Sequence, residues 1–448
     1  MTTISVKRLP AENGRSGWEA ISKRSFPART LEGNVTADWL IIGAGFAGLS
    51  AARRLTQIRP GDKVVVLDAR EVAVSTAGRN SGFMIDVPHN LSSGEYASAG
   101  ADASRAEMAQ NRFAIKFAAD IAEEFGMSSE TFNRSGKINA AATERGMKLN
   151  RSFGESLKAN GEPHTFLDAT EMRNLVGTSY YQGGLFTPGA VTIQPADYIR
   201  GLAGGLASKI DLFENSPVTS LKRKNGYWTA LTPQGTVTAP KVILCVNGHI
   251  EDFGHCARRL MHIFAYASMT APFADDEQGR RASGQERWAL LPADSMGATI
   301  RKLTTSGQSR IVIRTKYTYE TTVTASESRM AKMAAAHRRS FDARFPRLKS
   351  LPFENTWSGR LCLSRNHVPV FGEIEEGLYS ACCENGLGTV KSTLAGLLAV
   401  DLATGNVSPE VRQLMDNPAP SKLPPEPFAW LGINSVIRYQ EFRAGREG

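Results

Sequence analysis

Cysteine is sparse in this chain. Its 448 residues include five (Cys245, Cys256, Cys362, Cys382 and Cys383), an odd set with no C-x-x-C pair. That usage argues against a disulfide framework and for a reducing compartment, with the cytoplasm as the expected location. Long apolar runs are missing as well. No stretch approaches the roughly 18 to 20 apolar residues of a membrane span, and residues 1–17 lack the apolar core that a secretory leader needs. Internal repeats and low-complexity tracts are absent, and 42% hydrophobic with 22% charged residues excludes collagen-like and disordered classes. Acidic residues are the minority charge, 44 against 53 Lys and Arg, leaving a net charge of +9. Such a balance suits an anionic ligand, nucleic acid or an acidic membrane surface and does not choose among them.

What the chain does have is glycine, 41 residues of it, and placement matters more than number. At about 150 residues per domain the length allows about three domain-sized units. Residues 1–36 are polar and punctuated by Gly, Ser and Pro, and read as an N-terminal arm. Residues 38–42 form a short apolar run expected to be a buried strand, the glycine-rich segment 43–48 follows, and a helical pattern continues through Leu49, Ala52 and Leu55. Residues 63–68 read as a second buried strand, parallel to the first in a βαβ unit. Residues 101–125 are expected to be an amphipathic helix with Phe113, Phe117, Ile121 and Phe125 facing the core. Strands are expected at 241–246, 264–270 and 310–315, a solvated basic helix at 329–344, and a Pro-rich surface excursion at 417–427.

Gly43-Ala44-Gly45-Phe46-Ala47-Gly48 has the G-x-G-x-x-G spacing, with a strand before it and a helix after it, and Asp68 closes the next strand 20 residues past Gly48. Each part has a physical reason. Gly43 permits the tight turn, Gly45 lets a pyrophosphate approach the backbone, and Gly48 lets helix and strand pack closely. The pyrophosphate meets free N–H groups and the positive end of the helix dipole, while Asp68 accepts from the ribose hydroxyls. The fingerprint does not separate FAD from NAD, because both present ADP.

Two further segments bear on the ligand. Residues 75–82, Ser-Thr-Ala-Gly-Arg-Asn-Ser-Gly, form a small-residue loop able to pass close to an extended cofactor and bring Arg79 near a charged group. A second strand-to-helix junction carries Gly386 and Gly388 between a strand at 378–382 and a helix from about 389 to 403. Its helix dipole can face developing negative charge. Lys391 in the first turn adds to that field, though a solvated lysine is the plainer reading.

Taken in order, these motifs resemble the glycine oxidase / D-amino-acid oxidase family of flavoproteins, its gamma-glutamylputrescine oxidase-like branch most of all. The resemblance spans about residues 35–405. Residues 77–82 are similar to the family's S-G-R-N-G-G, residues 242–248 to its V-I-x-A-x-N-G strand, and residues 269–272 to its T-E-P strand. Residues 167–168, 181–185 and 194–197 resemble its middle segment. Trp357-Ser358-Gly359 and residues 366–372 resemble W-x-G and N-x-x-P-x-x-G, and residues 386–396 the closing flavin loop and helix.

The resemblance implies an α/β fold: a Rossmann-like FAD-binding domain of the glutathione-reductase type, interleaved with an α+β substrate domain on an antiparallel sheet. The expected division is an arm at 1–36, an FAD-binding domain at 37–90 plus 195–255 plus 350–415, a substrate domain at 91–194 plus 256–349, and a C-terminal extension at 416–448. It implies FAD as cofactor, contacted by Gly43, Gly45, Phe46, Ala47, Gly48, Asp68, Ala69 and Arg70. Further contacts are implied at Gly78, Arg79, Asn80, Ser81, Gly82, Val218, Asn247, Gly386, Leu387, Gly388 and Thr389. The implied chemistry is oxidation of a C–N bond in a small amine or amino acid, with hydride passing to flavin N5. The imine is then hydrolysed, and the flavin is reoxidised by O2 or an electron acceptor. The cofactor carries this chemistry, so no catalytic side chain is required and Lys391 is assigned only flavin tuning. Met84 and Arg314 are the substrate candidates, with Arg79, Arg301 and Lys316 as further cations able to meet an anionic substrate group. The sequence departs from the family at Cys382-Cys383-Glu384 and at Ser81. Cys362 lies in the region where sarcosine oxidases attach flavin covalently, but closer to Pro369 than their cysteine, so non-covalent FAD is expected.

Other constellations are weaker. His249, His255 and His262 with Cys256 fit no metal-ligand spacing, and no metal is expected. The basic helix lacks the aromatic surface or groove-reading motif of a nucleic-acid binder, so nucleic acid is not an expected partner. Two alternatives remain open: a flavin-dependent module acting on nucleic acid, as in tRNA modification, and an electron-transfer subunit of a multi-chain dehydrogenase. The sequence leaves the oligomeric state open.

Overall fold

The computed structural model describes residues 2–23, 26–87 and 101–448. Trp39–Ile42 and Val64–Leu67 are buried at every position, as strands covered on both faces must be. They pair in parallel with Ile42 opposite Leu67 and stand inside a six-stranded sheet. Its order is Asp211–Phe213, Val64–Leu67, Trp39–Ile42, Lys241–Leu244, Leu378–Cys382, Val370–Glu375. Every pairing is parallel except the last, an antiparallel edge. Because side chains alternate faces, Ile41, Val64, Val66 and Ile243 enter one core, and Leu40, Val65, Leu67 and Val242 enter another.

Helices cover the first face. Phe46–Ile58 crosses Gly388–Ala403 closely enough that a β-carbon on Gly396 would overlap the carbonyl oxygen of Ala47. The second face packs on a five-stranded sheet whose Leu221, Trp228 and Val237 share its core. Residues 1–36 are not an arm. Thr2–Ser5 pairs with Ser220–Lys224 at one edge of that sheet, Gly33–Thr36 pairs in parallel with Gly235–Ala239 at the other, and Trp18 and Leu31 are fully buried. The sparse apolar residues of this segment are the ones that anchor it.

A nine-stranded sheet forms the other layer. Its main path runs Phe353–Ser364, Leu260–Thr270, Gln308–Tyr319, Thr299–Thr305, Trp288–Pro292, Lys137–Ala141, Gly183–Thr187, Thr165–Leu167. The pairings are antiparallel apart from Trp288–Pro292 with Lys137–Ala141. Phe353–Ser364 falls in the stretch expected in the cofactor domain, yet it pairs along its length with Leu260–Thr270. The expected boundary at 90/91 lies outside the described residues.

Two helical expectations change. In Ala101–Glu124 the buried face is Ala114, Ile115, Ala118, Ile121 and Ala122, while Phe113 is exposed, because the small alanines let the helix approach the core and leave the phenylalanines at its margin. In Glu327–Arg344 the basic residues are not simply solvated. Arg344 is buried and donates to the carbonyls of Arg446, Glu447 and Gly448, gripping the C-terminus. The C-terminal helix Phe428–Ala444 lies over Gln308–Tyr319. Among the described residues no helix is long and apolar enough to cross a membrane.

Candidate functional site

A cavity opens at the carboxyl ends of the parallel strands, where the chain leaves Trp39–Ile42 toward Val64–Leu67 on one side and Lys241–Leu244 lies on the other. Open α/β sheets bind ligands at such a switch point. The cavity runs from the glycine turn to the nine-stranded sheet, which contributes Leu291, Arg314, Arg360 and Cys362.

The glycines divide by role. Gly43 has φ +105°, and a β-carbon there would overlap the Cys245 carbonyl. A β-carbon on Gly48 would overlap the carbonyl of Gly43. Both therefore serve packing. Gly43 and Gly45 both line the cavity, but Gly45 has room: its β-carbon would touch only the Ala77 methyl, at 3.5 Å. It also caps Phe46–Ile58 without any side-chain hydrogen bond, so the helix presents N–H groups with no internal acceptor. Asp68 Oδ2 accepts from Ala44 N at 2.8 Å and Oδ1 from Arg70 N at 2.9 Å, and burial raises its carboxyl above the usual range. Phe46, Ala47, Ala69 and Val218 also line this end.

At the far end, Cys383, Asn385 and Gly386 all have positive φ, which turns the chain sharply into Gly388–Ala403. That helix too begins without a side-chain cap. Gly386, Leu387, Gly388 and Thr389 line the cavity, as do Asn80 and Ser81. Asn247 also lines it, at φ +47°, and its Oδ1 is buried without a hydrogen-bond partner among the described residues. Two uncapped helix starts, a carboxylate and an orphaned amide oxygen along one elongated cavity fit a dinucleotide with a diphosphate near its middle. Glu384 lies beside them, nearly inaccessible, with its carboxyl pushed up to about 7 by burial.

Several expected contacts are elsewhere. The Arg79 guanidinium is buried and donates to the carbonyls of Ser358, Gly14 and Asn13, with Glu12 at 3.3 Å. It ties the N-terminal segment to strand Phe353–Ser364. A β-carbon on Gly78 would overlap the Ala73 carbonyl, and one on Gly82 the Arg301 guanidinium; neither glycine lines the cavity, and Arg70 is exposed outside it. Met84 is fully buried in the helical core. Lys391 pairs with Glu107 at 2.7 Å. Arg301 donates to the carbonyls of Ser81, Gly82 and Ile193, and Lys316 pairs with Glu441. Of these cations Arg314 alone lines the cavity. It donates to Thr299 Oγ1 at 2.7 Å, and burial lowers it to about 10.

The cavity also has walls that the motifs do not mark. Residues 8–12 line it, and burial pushes the Glu12 carboxyl up to about 7. Arg360 is 8% exposed; its Nη1 reaches His249 Nε2 at 3.4 Å, and its Nε and Nη2 have no partner among the described residues. His249 Nδ1 faces Asp252 at 2.9 Å, His262 Nε2 faces Glu251 at 2.6 Å, and burial lowers the pKa of both rings. His255 faces Glu375 instead. The three histidines thus take three separate carboxylate partners. The one sequence signal for Arg360 was its place directly after Trp357-Ser358-Gly359. Cys362 lines the cavity within a cluster holding Cys382 and Cys383; its hydrogen bond with Cys383 and burial hold its thiol well above the usual range. A thiol so protonated is a poor nucleophile.

Comparison with known proteins gives a consistent picture. The family profile described as FAD dependent oxidoreductase (DAO) matches residues 38–402. The chain is 27% identical over 382 residues to the probable oxidoreductase OrdL of Haemophilus influenzae, covering 83% of each protein. It is 23% identical over 407 residues to gamma-glutamylputrescine oxidoreductase of Escherichia coli, covering 88% of this chain and 90% of that one. Among solved structures, glycine oxidase from Geobacillus kaustophilus superposes with a TM-score of 0.67 at 19% identity, over 84% of this chain and 96% of that one.

Proposed function

Since the chain belongs to the DAO family of FAD-dependent oxidoreductases, we propose that it oxidises a C–N bond in a small amine or amino acid to an imine that water then hydrolyses. Its cofactor is FAD, which when bound supplies the hydride acceptor. The similarity to a gamma-glutamylputrescine oxidoreductase and a glycine oxidase supports the substrate class. The observation that carries the reading is the single cavity joining the two uncapped helix starts to the polar wall of the nine-stranded sheet.

On this reading the N–H groups at Gly45, Phe46 and Ala47 would hold the diphosphate, and Asp68 and Ala69 would hold the adenosine ribose. Val218 would line the nucleotide end of the cavity. Asn247, Asn80, Ser81 and the turn Gly386–Thr389 hold the flavin end, and the dipole of Gly388–Ala403 favours negative charge there. Of Arg314 and Arg360, the buried arginines of the cavity wall, one would orient an anionic substrate group, a role suited to buried guanidinium. Glu384, neutral below about pH 7, keeps that end of the cavity free of a repelling carboxylate. Gly43, Gly48, Gly78, Arg79 and Gly82 act by shaping the backbone around these groups. The cofactor unit comprises 37–90, 195–255 and most of 350–415, with strand Phe353–Ser364 standing in the substrate-side sheet. The reaction also needs O2 or another electron acceptor, and the protein works in the cytoplasm.

The deciding experiment is anaerobic bleaching of the bound flavin by a panel of primary amines, N-methyl amino acids and both enantiomers of common amino acids. Bleaching by at least one class supports the reading; a flavin that stays oxidised with all of them, yet is bleached by dithionite, would sink it.

A further inference from the structure

The outer face of the C-terminal helix is apolar. Phe428, Leu431, Val436, Tyr439 and Phe442 are all exposed, Phe442 to 84%, and at 3.6 residues per turn they fall within an arc of about 140°. The opposite face is fixed to the protein. Asn434 exchanges hydrogen bonds with the backbone of Tyr319 in both directions at 3.0 Å, Glu441 accepts from Tyr317 N at 3.0 Å, and Ile437 is buried. The helix cannot roll its apolar stripe inward without breaking those bonds. Beside it runs an apolar groove lined by Met261, Ile263, Leu363 and Leu423. A contiguous patch of this kind on a charged protein marks a binding surface.

The charge around the stripe is of one sign. Arg438, Arg443 and Arg446 are exposed, with Arg443 lying over the Tyr439 ring at 5.7 Å. Glu441 is the helix's one acid, and it faces inward to Lys316. Glu426, just before the helix, has both oxygens engaged, by Tyr319 Oη and Trp430 N. We propose that this face docks the protein onto an anionic lipid surface, with the aromatic and aliphatic side chains entering the headgroup boundary and the three arginines meeting lipid phosphates. Interfacial helices combine these two features. A second copy of the chain is a poorer occupant, because a two-fold interface sets a patch against itself and would oppose these arginines with arginines, no exposed acid of the helix being there to pair them. The proposal does not depend on the substrate class.

The test is flotation of the protein as purified, flavin bound, with phosphatidylglycerol/phosphatidylcholine vesicles and with phosphatidylcholine vesicles alone. The expected result is association with the anionic vesicles only, weakened about tenfold by high salt. Leu431→Glu combined with Phe442→Glu should lower that association by at least about tenfold, and Arg438→Glu with Arg443→Glu should abolish the anionic preference. Both variants should keep flavin absorbance and melting temperature, because the changed side chains are exposed. Failure of the wild type to float with anionic vesicles overturns the proposal. So does equal flotation with neutral ones, or a dimer in sedimentation equilibrium that Phe442→Glu dissociates.

Discussion

Asp68 Oδ2 accepts the backbone N–H of Ala44 at 2.8 Å, fastening the end of one parallel strand to the glycine turn that follows its neighbour. The carboxylate assigned to the ribose thus also sets the position of the turn assigned to the diphosphate. One side chain would bear on both the ribose and the diphosphate of the ADP moiety.

Replacing Asp68 with Ala should therefore weaken FAD by more than one lost hydrogen bond. About 2–4 kcal/mol is expected, the sum of a ribose contact and a loosened turn. Fluorescence titration of the apoprotein measures it. A change under about 0.5 kcal/mol would show that neither contact matters.

Gly45 and Gly48 should behave oppositely despite their kinship in the motif. Gly48→Ala places a methyl on the Gly43 carbonyl, and the expected outcome is loss of folded protein or a fall of several kcal/mol in stability. Gly45→Ala has room, so the protein should fold and melt normally while binding FAD roughly tenfold more weakly, because the methyl projects into the cavity. Differential scanning fluorimetry with flavin content separates the two.

Arg79→Met should cost roughly 3 kcal/mol of stability, since it orphans three carbonyl acceptors at once. The affinity for FAD should change less than about threefold if the residue only clamps the N-terminal segment. The reverse outcome, intact stability with weak FAD, would return Arg79 to the cofactor contacts that the motif implied.

Burial raises Glu384 to about 7, against about 4.3 in an unfolded chain. Between these values the unfolded state releases a proton that the folded state keeps, so stability is full below about pH 4 and is lost as pH rises through about 7. Glu384→Gln removes that slope and should raise stability at pH 8 relative to wild type by roughly 3 kcal/mol. Glu12, also raised to about 7, keeps its own slope, so the variant's pH dependence should shrink rather than vanish. Urea melts at several pH values from 5 to 8 read this directly.

For a carboxylate substrate found in the bleaching panel, Arg360→Met and Arg314→Met should differ. The arginine that meets the substrate should raise KM at least about thirtyfold with little change in kcat. The other should act mainly on stability. Steady-state kinetics of the pair assigns the role.

The cofactor side of this molecule was readable because its signals are local. A buried four-residue strand, a glycine turn and an acid 20 residues on need no distant information, and Trp39–Ile42, Val64–Leu67 and Gly388–Ala403 lie within a residue or two of where periodicity places them. The missed features depend on long-range pairing. Thr2–Ser5 becomes a strand only because Ser220–Lys224 lies beside it, and nothing in its own composition announces that. Arg79 looks like a ligand cation in a glycine loop until strand Phe353–Ser364 supplies its acceptors. The helix Ala101–Glu124 was read correctly at Ile121, Phe117 and Phe125, which meet the core, and missed at Phe113, because alanines bury on this face as well as phenylalanines do.

The order in which the six-stranded sheet is assembled has a bearing on biosynthesis. Its strands come from residues near 40, 65, 212, 243, 372 and 380, so a nascent chain leaving the ribosome carries the glycine turn long before the closing turn near 388 exists. The N-terminal strand must also wait for residues 220–224 before it has an edge to join. Flavin capture is therefore expected only after the residues near 388 have been made, and a message truncated before them should yield fragments with an intact fingerprint and no colour.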